Sequence, residues 1–347
     1  ARSLVESEEL VEEASVFAGN QDYASGNTWA SHENYLHRSD PESLFANLVP
    51  HLVTRVIYAG AGGFNPTGPG IEFTLSAREP HIRRVRSENS TSARGIYHTK
   101  EEPHCGGGYG RLHVLVGDSL ASELAGCLRL GTTALIVTLI EEGRAPGADL
   151  GLRSPLTALH RIARDPSCRE RFLGLEGKTT TALEIQYRYL ERVEAALGEP
   201  FLPDWAEETC RLWRETLEAL EEGPRRVTRS LDWAIKWEIF NERARRRGFD
   251  GKAIKLWNDV LQRARLSGKK ILEILRGPPL GDLPGPMAGA WHRVQELEPL
   301  LREAGRDWEE LEELLKLRRE LMELDTRFAQ LGTGLFAELD RRPGVLK

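Results

Sequence analysis

The most informative feature of this sequence is a pair of short segments, Ser31-His32-Glu33-Asn34-Tyr35 and Arg111-Leu112-His113-Val114-Leu115-Val116-Gly117-Asp118. Each is strand-like and places a histidine close to another polar residue. Because successive side chains of a strand point to opposite faces, His32 shares a face with Asn34, and Arg111 shares a face with His113. Imidazoles can ligate a divalent ion, and a guanidinium can hold phosphate in a bidentate fork. The pattern therefore admits a metal–nucleotide site, although spacing alone favours unrelated surface or hydrogen-bonded core histidines.

The composition is that of a soluble globular protein. The chain has 347 residues, of which 40% are hydrophobic and 29% charged, enough for one large domain or two ordinary ones. A net charge of −6 gives no support for nucleic-acid binding. The longest apolar stretch, Thr132–Ile140, is far too short to span a bilayer, and no signal peptide is recognisable. The four cysteines have no CxxC spacing, which favours free thiols in a reducing cytoplasm.

The periodicity of apolar residues predicts an α+β fold, with strands early and helices later. Apart from the two histidine segments, alternation indicates strand structure within residues 71–100. Helical spacing predicts a helix over 3–18, another beginning at Pro41, and a long helical run after Ser119, for which Asp118 and Ser119 are good capping residues. Gly106-Gly107-Gly108 lacks the context of a phosphate-binding loop.

Several blocks of the sequence resemble the Pup ligase and depupylase family, in the family's order and at nearly its spacing. The blocks are Gly26-Asn27-Thr28-Trp29-Ala30-Ser31-His32-Glu33-Asn34-Tyr35-Leu36, Leu52-Val53-Thr54-Arg55 with Ala59-Gly60-Ala61-Gly62, Glu101-Glu102-Pro103-His104, Arg111 to Ser119, Leu130-Gly131-Thr132-Thr133-Ala134-Leu135, Leu231-Asp232-Trp233-Ala234-Ile235-Lys236, and Leu324-Asp325 with Gly332-Thr333-Gly334-Leu335-Phe336. No single block is specific, but their occurrence together and in this order is.

The resemblance implies a glutamine-synthetase-like carboxylate–amine ligase built on a curved antiparallel sheet covered by helices. Such enzymes use ATP and Mg²⁺ to join the C-terminal glutamate side chain of a small Pup-like modifier protein to a lysine of a target protein, or they cleave that bond. By this resemblance, residues 1–247 and 323–347 form the catalytic domain, and residues 248–322 form a helical insertion that the family lacks. Amide formation from a carboxylate requires activation, typically as an acyl phosphate.

The resemblance also implies roles for individual residues. His113 is expected to ligate Mg²⁺ and Arg111 to clamp phosphate, with His32 near the metal and Asn34 near the nucleotide. Because Mg²⁺ prefers hard oxygen ligands, histidines alone would make a weak site. Two further arginines lie in or near family blocks and are expected either to face phosphate or carboxylate or to form ordinary ion pairs. They are Arg55 and Arg78.

The catalytic acids of the family are not found in this sequence. The chain starts at Ala1, and Arg2-Ser3-Leu4-Val5 resembles the segment that follows the family's acidic strands, so we expect those acids upstream and leave the catalytic residues unknown. The alternatives therefore stay open. They are a ligase, a depupylase or deamidase of the same family, a related ligase acting on a peptide or small amine, and a catalytically incomplete scaffold or half of a split enzyme that needs the N-terminal segment.

Overall fold

The computed structural model describes residues 18–88, 93–98, 105–277 and 285–331. The predicted helix over 3–18, apart from its last residue, and the blocks Glu101–His104 and Gly332–Phe336 lie outside the described residues.

The predicted α+β fold is confirmed, with a short sheet early in the chain and helices after it. The strands are β1 (Glu33–His37), β2 (Gly63–Phe64), β3 (Phe73–Thr74), β4 (Arg84–Ser87), β5 (Gly95–His98), β6 (Gly110–Val114), β7 (Phe172–Leu173) and β8 (Thr179–Thr180). The helices are α1 (Pro41–Thr54), α2 (Val56–Ala59), α3 (Glu123–Glu141), α4 (Pro155–Ala163), α5 (Ala182–Glu194), α6 (Ala206–Glu222), α7 (Asp232–Arg246), α8 (Gly251–Ala264), α9 (Gly268–Leu275), α10 (Gly285–Glu303) and α11 (Glu310–Leu331).

The central sheet has the strand order β1-β6-β5-β4. Strand β6 pairs antiparallel with both β1 and β5, as the predicted antiparallel sheet requires. Strand β4 differs, because it runs parallel to β5. Along β6 the alternation is clear, since Leu112 and Val114 are buried while Arg111 and His113 are only half-buried. One face of the sheet therefore packs on the helices, and the other face carries the polar side chains.

Helix α3 covers the buried face of the sheet beside β1. Its N-cap is Ser122, whose hydroxyl accepts from the backbone N–H of Ala125, and Asp232 accepts from the backbone N–H groups of Ala121 and Ser122. The predicted capping by Asp118 and Ser119 is therefore wrong, because the helix begins several residues later. By length and composition α3 could cross a membrane, but 56% of its most apolar window is buried in the protein, as for a core helix.

A buried polar cluster ties the last helix to the rest of the molecule. The ammonium of Lys236 lies 2.7 Å from Oδ1 of Asp325, and the Tyr23 hydroxyl donates to Oδ2 of the same carboxylate at 2.6 Å. Lys236 also donates to the carbonyl of Gly62. Helix α11 runs unbroken through position 322, where the catalytic domain was predicted to resume. The division into catalytic domain and insertion remains a prediction.

The helices of the predicted insertion hold the Pro/Gly loop at residues 65–70. The side chain of Asn258 accepts from the backbone N–H of Ile71 at 2.9 Å and donates to its carbonyl at 2.7 Å, as a neighbouring strand would. The guanidinium of Arg318 donates to three loop carbonyls, those of Gly70, Pro66 and Gly68. The basic C-terminal end of α7 is likewise paired with glutamates of α11, notably Glu320. These helices pack on the body of the protein.

Candidate active site

The structure brings the two predicted histidines together on the polar face of the sheet. Nε2 of His113 lies 3.2 Å from Nδ1 of His32, and the ring centroids are 5.0 Å apart. His113 lies opposite Asn34 in the β1–β6 register, and Arg111 lies opposite Leu36. His32 immediately precedes β1, so the strand-like segment Ser31–Tyr35 enters its strand only at Glu33. The predicted juxtaposition of the histidines on one face is confirmed.

A third imidazole lies beside these two histidines in the sheet and was not singled out from the sequence. His98 ends β5 and lies opposite His113, with the ring centroids 5.5 Å apart. In the β4–β5 register its neighbour on the other side is Ser87. His98 can be placed beside His113 only if β5 is known to pair with β6. Alternation within one strand does not reveal that pairing. Across the four strands these partners form one row, the imidazole row, which runs from Asn34 through His113 and His98 to Ser87.

The surroundings keep His32 in its neutral form. Burial lowers the pKa of His32, and the positive charge of Arg78 acts in the same direction. A neutral imidazole offers a lone pair for a hydrogen bond or a metal ion. His32 therefore provides a neutral imidazole beside a fixed positive charge.

That fixed charge, Arg78, is the most unusual side chain near the row. It is 2% exposed, yet within the part of the chain that the structure describes its Nε has no hydrogen-bond partner. Burial lowers the pKa of Arg78 to about 10, although the charge of Asp118 acts in the opposite direction, so the guanidinium remains charged at neutral pH. Buried polar groups are nearly always paired, and one that is not calls for an explanation such as a bound ion.

Asp118 fixes the backbone that carries Arg78. One carboxylate oxygen of Asp118 accepts from the Ser76 hydroxyl at 3.0 Å and from the backbone N–H of Arg78 at 3.2 Å. The other oxygen accepts from the backbone N–H of Ala61 at 2.8 Å. Asp118 is fully buried, and its position after β6 joins the sheet to the segment that precedes β4. The carboxylate thus holds the Arg78 segment against the sheet.

Arg55 occupies a different environment, although it was grouped with Arg78 on sequence. It is also 2% exposed, but its guanidinium donates to both carboxylate oxygens of Glu33, at 2.6 and 2.8 Å, and to the hydroxyl of Thr133 at 2.7 Å. Tyr35 donates to the same carboxylate at 2.6 Å. Of the two roles expected for Arg55, the geometry favours the ordinary ion pair. Glu33 points to the core face, as alternation predicted, and it anchors β1 beneath His32.

The remaining predicted residues lie on the polar face as alternation requires. Asn34 is exposed beside His113, and Arg111 is partly exposed one row further along β6. Within the described ranges, no group of three or more histidine, cysteine, aspartate and glutamate side chains is arranged to hold a metal ion. Since Mg²⁺ prefers oxygen ligands, His32 and His113 do not by themselves fit this ion.

Comparison with solved structures identifies the class of fold. The structure of the Pup ligase PafA in complex with ADP matches 73% of this chain and 58% of that chain, with a TM-score of 0.59 and 29% sequence identity. The crystal structure of the complex between the prokaryotic ubiquitin-like protein Pup and PafA matches with a TM-score of 0.55 and 30% identity, over 73% of this chain and 54% of that one. The fold is therefore the glutamine-synthetase-like α+β fold of these ligases.

The chain belongs to the Pup-ligase protein family, whose sequence model matches residues 1–268. It is 38% identical over 240 residues to the Pup deamidase/depupylase of Mycobacterium tuberculosis, covering 67% of this chain and 47% of that protein. It is 37% identical over 242 residues to the Pup–protein ligase of Pseudarthrobacter chlorophenolicus, covering 67% of this chain and 52% of that protein. The chain thus spans about half the length of the curated relatives it matches.

Proposed function

We propose that this protein is an ATP-dependent ligase that joins the C-terminal glutamate side chain of a Pup-like modifier protein to a lysine of a target protein. Membership of the family and likeness to a Pup ligase in complex with ADP support this proposal. The single observation that carries the site is Arg78, a buried guanidinium without a partner for its Nε among the described residues. A polyphosphate is a ligand class that satisfies such a group.

The proposed reaction has two steps. An oxygen of the modifier's carboxylate attacks the γ-phosphorus of ATP, and the bond to the leaving ADP oxygen breaks, which gives an acyl phosphate. The lysine nitrogen then attacks the acyl carbon, phosphate leaves, and the nitrogen loses a proton. Arg78 and Arg111 are the residues proposed to hold phosphate oxygens, because negative charge must be positioned and neutralised during phosphoryl transfer. Asn34 is proposed to orient the nucleotide from the same face.

Mg²⁺ is part of the proposal only as the ion that accompanies ATP. His32 and His113 are proposed to lie at its edge, where imidazole nitrogens can accept hydrogen bonds or contribute a nitrogen ligand. Carboxylate ligands are needed for a tight site, and the described residues do not supply them to the imidazole row.

A second candidate is a depupylase or deamidase. Relatives named as depupylases and as ligases match this chain with almost the same identity, 38% and 37%. In this reaction water adds to the side-chain carbonyl carbon, and the lysine amine or ammonia leaves with a proton. Either activity places the modifier's last residue beside the imidazole row. With four free cysteines and no excess of positive charge, a cytoplasmic protein without a nucleic-acid partner is part of the proposal.

The experiment that tests the function assays both directions with the same preparation. The purified protein is incubated with ATP, Mg²⁺, a modifier ending in glutamate and a lysine-bearing acceptor protein, and separately with the preformed conjugate. Ligation predicts conjugate and ADP in equal amounts, whereas a depupylase predicts loss of the preformed conjugate. ATP binding without either reaction would favour the scaffold or split-enzyme alternative, and absence of ATP binding would contradict the proposal altogether.

A further inference from the structure

The polar face of the β1–β6 ribbon continues beyond the imidazole row. Alternation places His32, Asn34, Leu36 and Arg38 on one face of the first strand and its flanks, and pairing sets them beside the corresponding residues of β6. Arg38 lies beside Tyr109, one residue beyond His37 and Gly110, which are the last pair of the β1–β6 register. The guanidinium carbon of Arg38 lies 4.5 Å from the centre of the Tyr109 ring, and the guanidinium also donates to the Tyr109 hydroxyl.

In this Arg38–Tyr109 platform the guanidinium lies over one face of the ring, and the backbone of both residues is held in place. The backbone N–H of Arg38 donates to the carboxylate of Glu141, at the end of α3, at 2.8 Å. On the opposite strand, a Cβ on Gly110 would lie 2.8 Å from the ring of His37, so the two strands approach closely there. The side chains nevertheless face solvent, since Tyr109 is 39% exposed and Leu36, its neighbour on this face, is 62% exposed. The exposed apolar surface of Leu36 and Tyr109 is thus held in position by a backbone that the Glu141 hydrogen bond and the close approach of the strands fix.

We infer that the Arg38–Tyr109 platform receives the base of the nucleotide whose phosphates are held at the imidazole row. The inference rests on the proposed nucleotide site. Tyr109 immediately precedes β6 and lies four residue steps from His113, which corresponds to about 13 Å along an extended strand. Arg78 and Arg111 provide cationic groups at one end of this distance, and Tyr109 and Arg38 provide a stacked ring and guanidinium at the other. A nucleoside polyphosphate is a ligand with matching groups at both ends. Bases stack on aromatic rings and on guanidinium planes, with little discrimination between bases.

The inference predicts a selective effect of removing the ring. Tyr109→Leu is expected to weaken ATP binding about tenfold while leaving the binding of inorganic tripolyphosphate unchanged, since only ATP has a base to stack. Tyr109→Phe keeps the ring and loses the hydroxyl, so it should bind ATP nearly as the wild type does. Tyr187→Leu, on helix α5, is the matched control and should leave both affinities unchanged.

The experiment is a calorimetric titration of the wild type and the three variants with ATP, with GTP and with tripolyphosphate, each with Mg²⁺. A loss for ATP and GTP alone in Tyr109→Leu supports the platform. Unchanged ATP affinity in Tyr109→Leu, an equal loss for tripolyphosphate, or an equal loss in Tyr109→Phe would overturn it while leaving the proposed function intact. A wild type that binds neither ATP nor tripolyphosphate would overturn both.

Discussion

The guanidinium of Arg55 donates to both carboxylate oxygens of Glu33, at 2.6 and 2.8 Å, in the interior of the protein. This pair anchors β1 from the core face, while His32 and Asn34 of the same segment face the candidate site. Removal of one partner leaves the other charge buried without compensation. Arg55→Met is therefore expected to lower the free energy of unfolding by about 3–5 kcal/mol, measured by denaturant unfolding. A loss below about 1 kcal/mol, in the range of an exposed ion pair, would contradict this role.

Arg111 is expected to contribute directly to nucleotide binding from the polar face of β6. Arg111→Ala should weaken ATP binding, or reduce turnover, by about 2 kcal/mol, as for the loss of a charge-assisted contact. The measurement is ATP affinity at fixed salt, with the exposed Arg302→Ala as a control for the general effect of removing a positive charge. Equal affinities of Arg111→Ala and the control would refute the assignment of Arg111.

Stability should depend on pH below neutrality because several histidines are held neutral. Burial and the charges of Arg94, Arg78 and Arg83 lower the pKa of His81 to about 4. The unfolded chain binds a proton near pH 6.5 and the folded chain does not, so this contribution to stability is complete above about pH 6.5 and is lost as the pH falls toward about 4. His81→Gln keeps a donor toward Gln21 but cannot take up the proton. It should reduce the loss of unfolding free energy over this pH range by an amount on the order of 1 kcal/mol, since solvent screens the partly exposed imidazole.

Chemical unfolding of the wild type and His81→Gln at a series of pH values between 4 and 8 checks this expectation. Fully buried His51, whose pKa is lowered well below its ordinary value mainly by burial, contributes in the same direction and remains in both proteins. If the free energy of unfolding depends on pH identically in the two proteins, His81 does not titrate as expected.

The polar cluster at Asp325 tests whether α11 belongs to the body of the protein. Asp325→Leu leaves the Lys236 ammonium buried without its carboxylate and should cost about 3 kcal/mol of folding free energy. The double variant Lys236→Met with Asp325→Leu removes both charges and should recover much of that loss. The measurement is a double-mutant cycle by denaturant unfolding. Additive losses would show that the two residues are not coupled.

Strand alternation was enough to predict which face His32, Asn34, Arg111 and His113 share, because that property is local to each segment. It could not predict His98, whose place depends on how β5 pairs with β6. Nor could it separate Arg55 from Arg78, because the partner of Arg55 lies 22 residues away in sequence. The periodicity also predicted most helices, but α11 continues past position 323 because its amphipathic pattern continues.

The relation between Arg55 and Arg78 supplies the sharpest test of the candidate site. Both are 2% exposed, but among the described residues only the guanidinium of Arg55 forms an ion pair with a carboxylate. A buried guanidinium with an unpaired nitrogen costs folding free energy, and its retention is explained by a ligand that pairs with it. We therefore expect Arg78 to serve nucleotide binding and not the fold.

The decisive measurement is ATP affinity and the free energy of unfolding for Arg78→Met beside Arg55→Met. We expect Arg78→Met to bind ATP at least tenfold more weakly, about 1.4 kcal/mol, while its unfolding free energy is unchanged or raised. Arg55→Met provides the opposite reference, with a large loss of stability. If Arg78→Met binds ATP like the wild type, or is destabilised as much as Arg55→Met, the account of the site is contradicted.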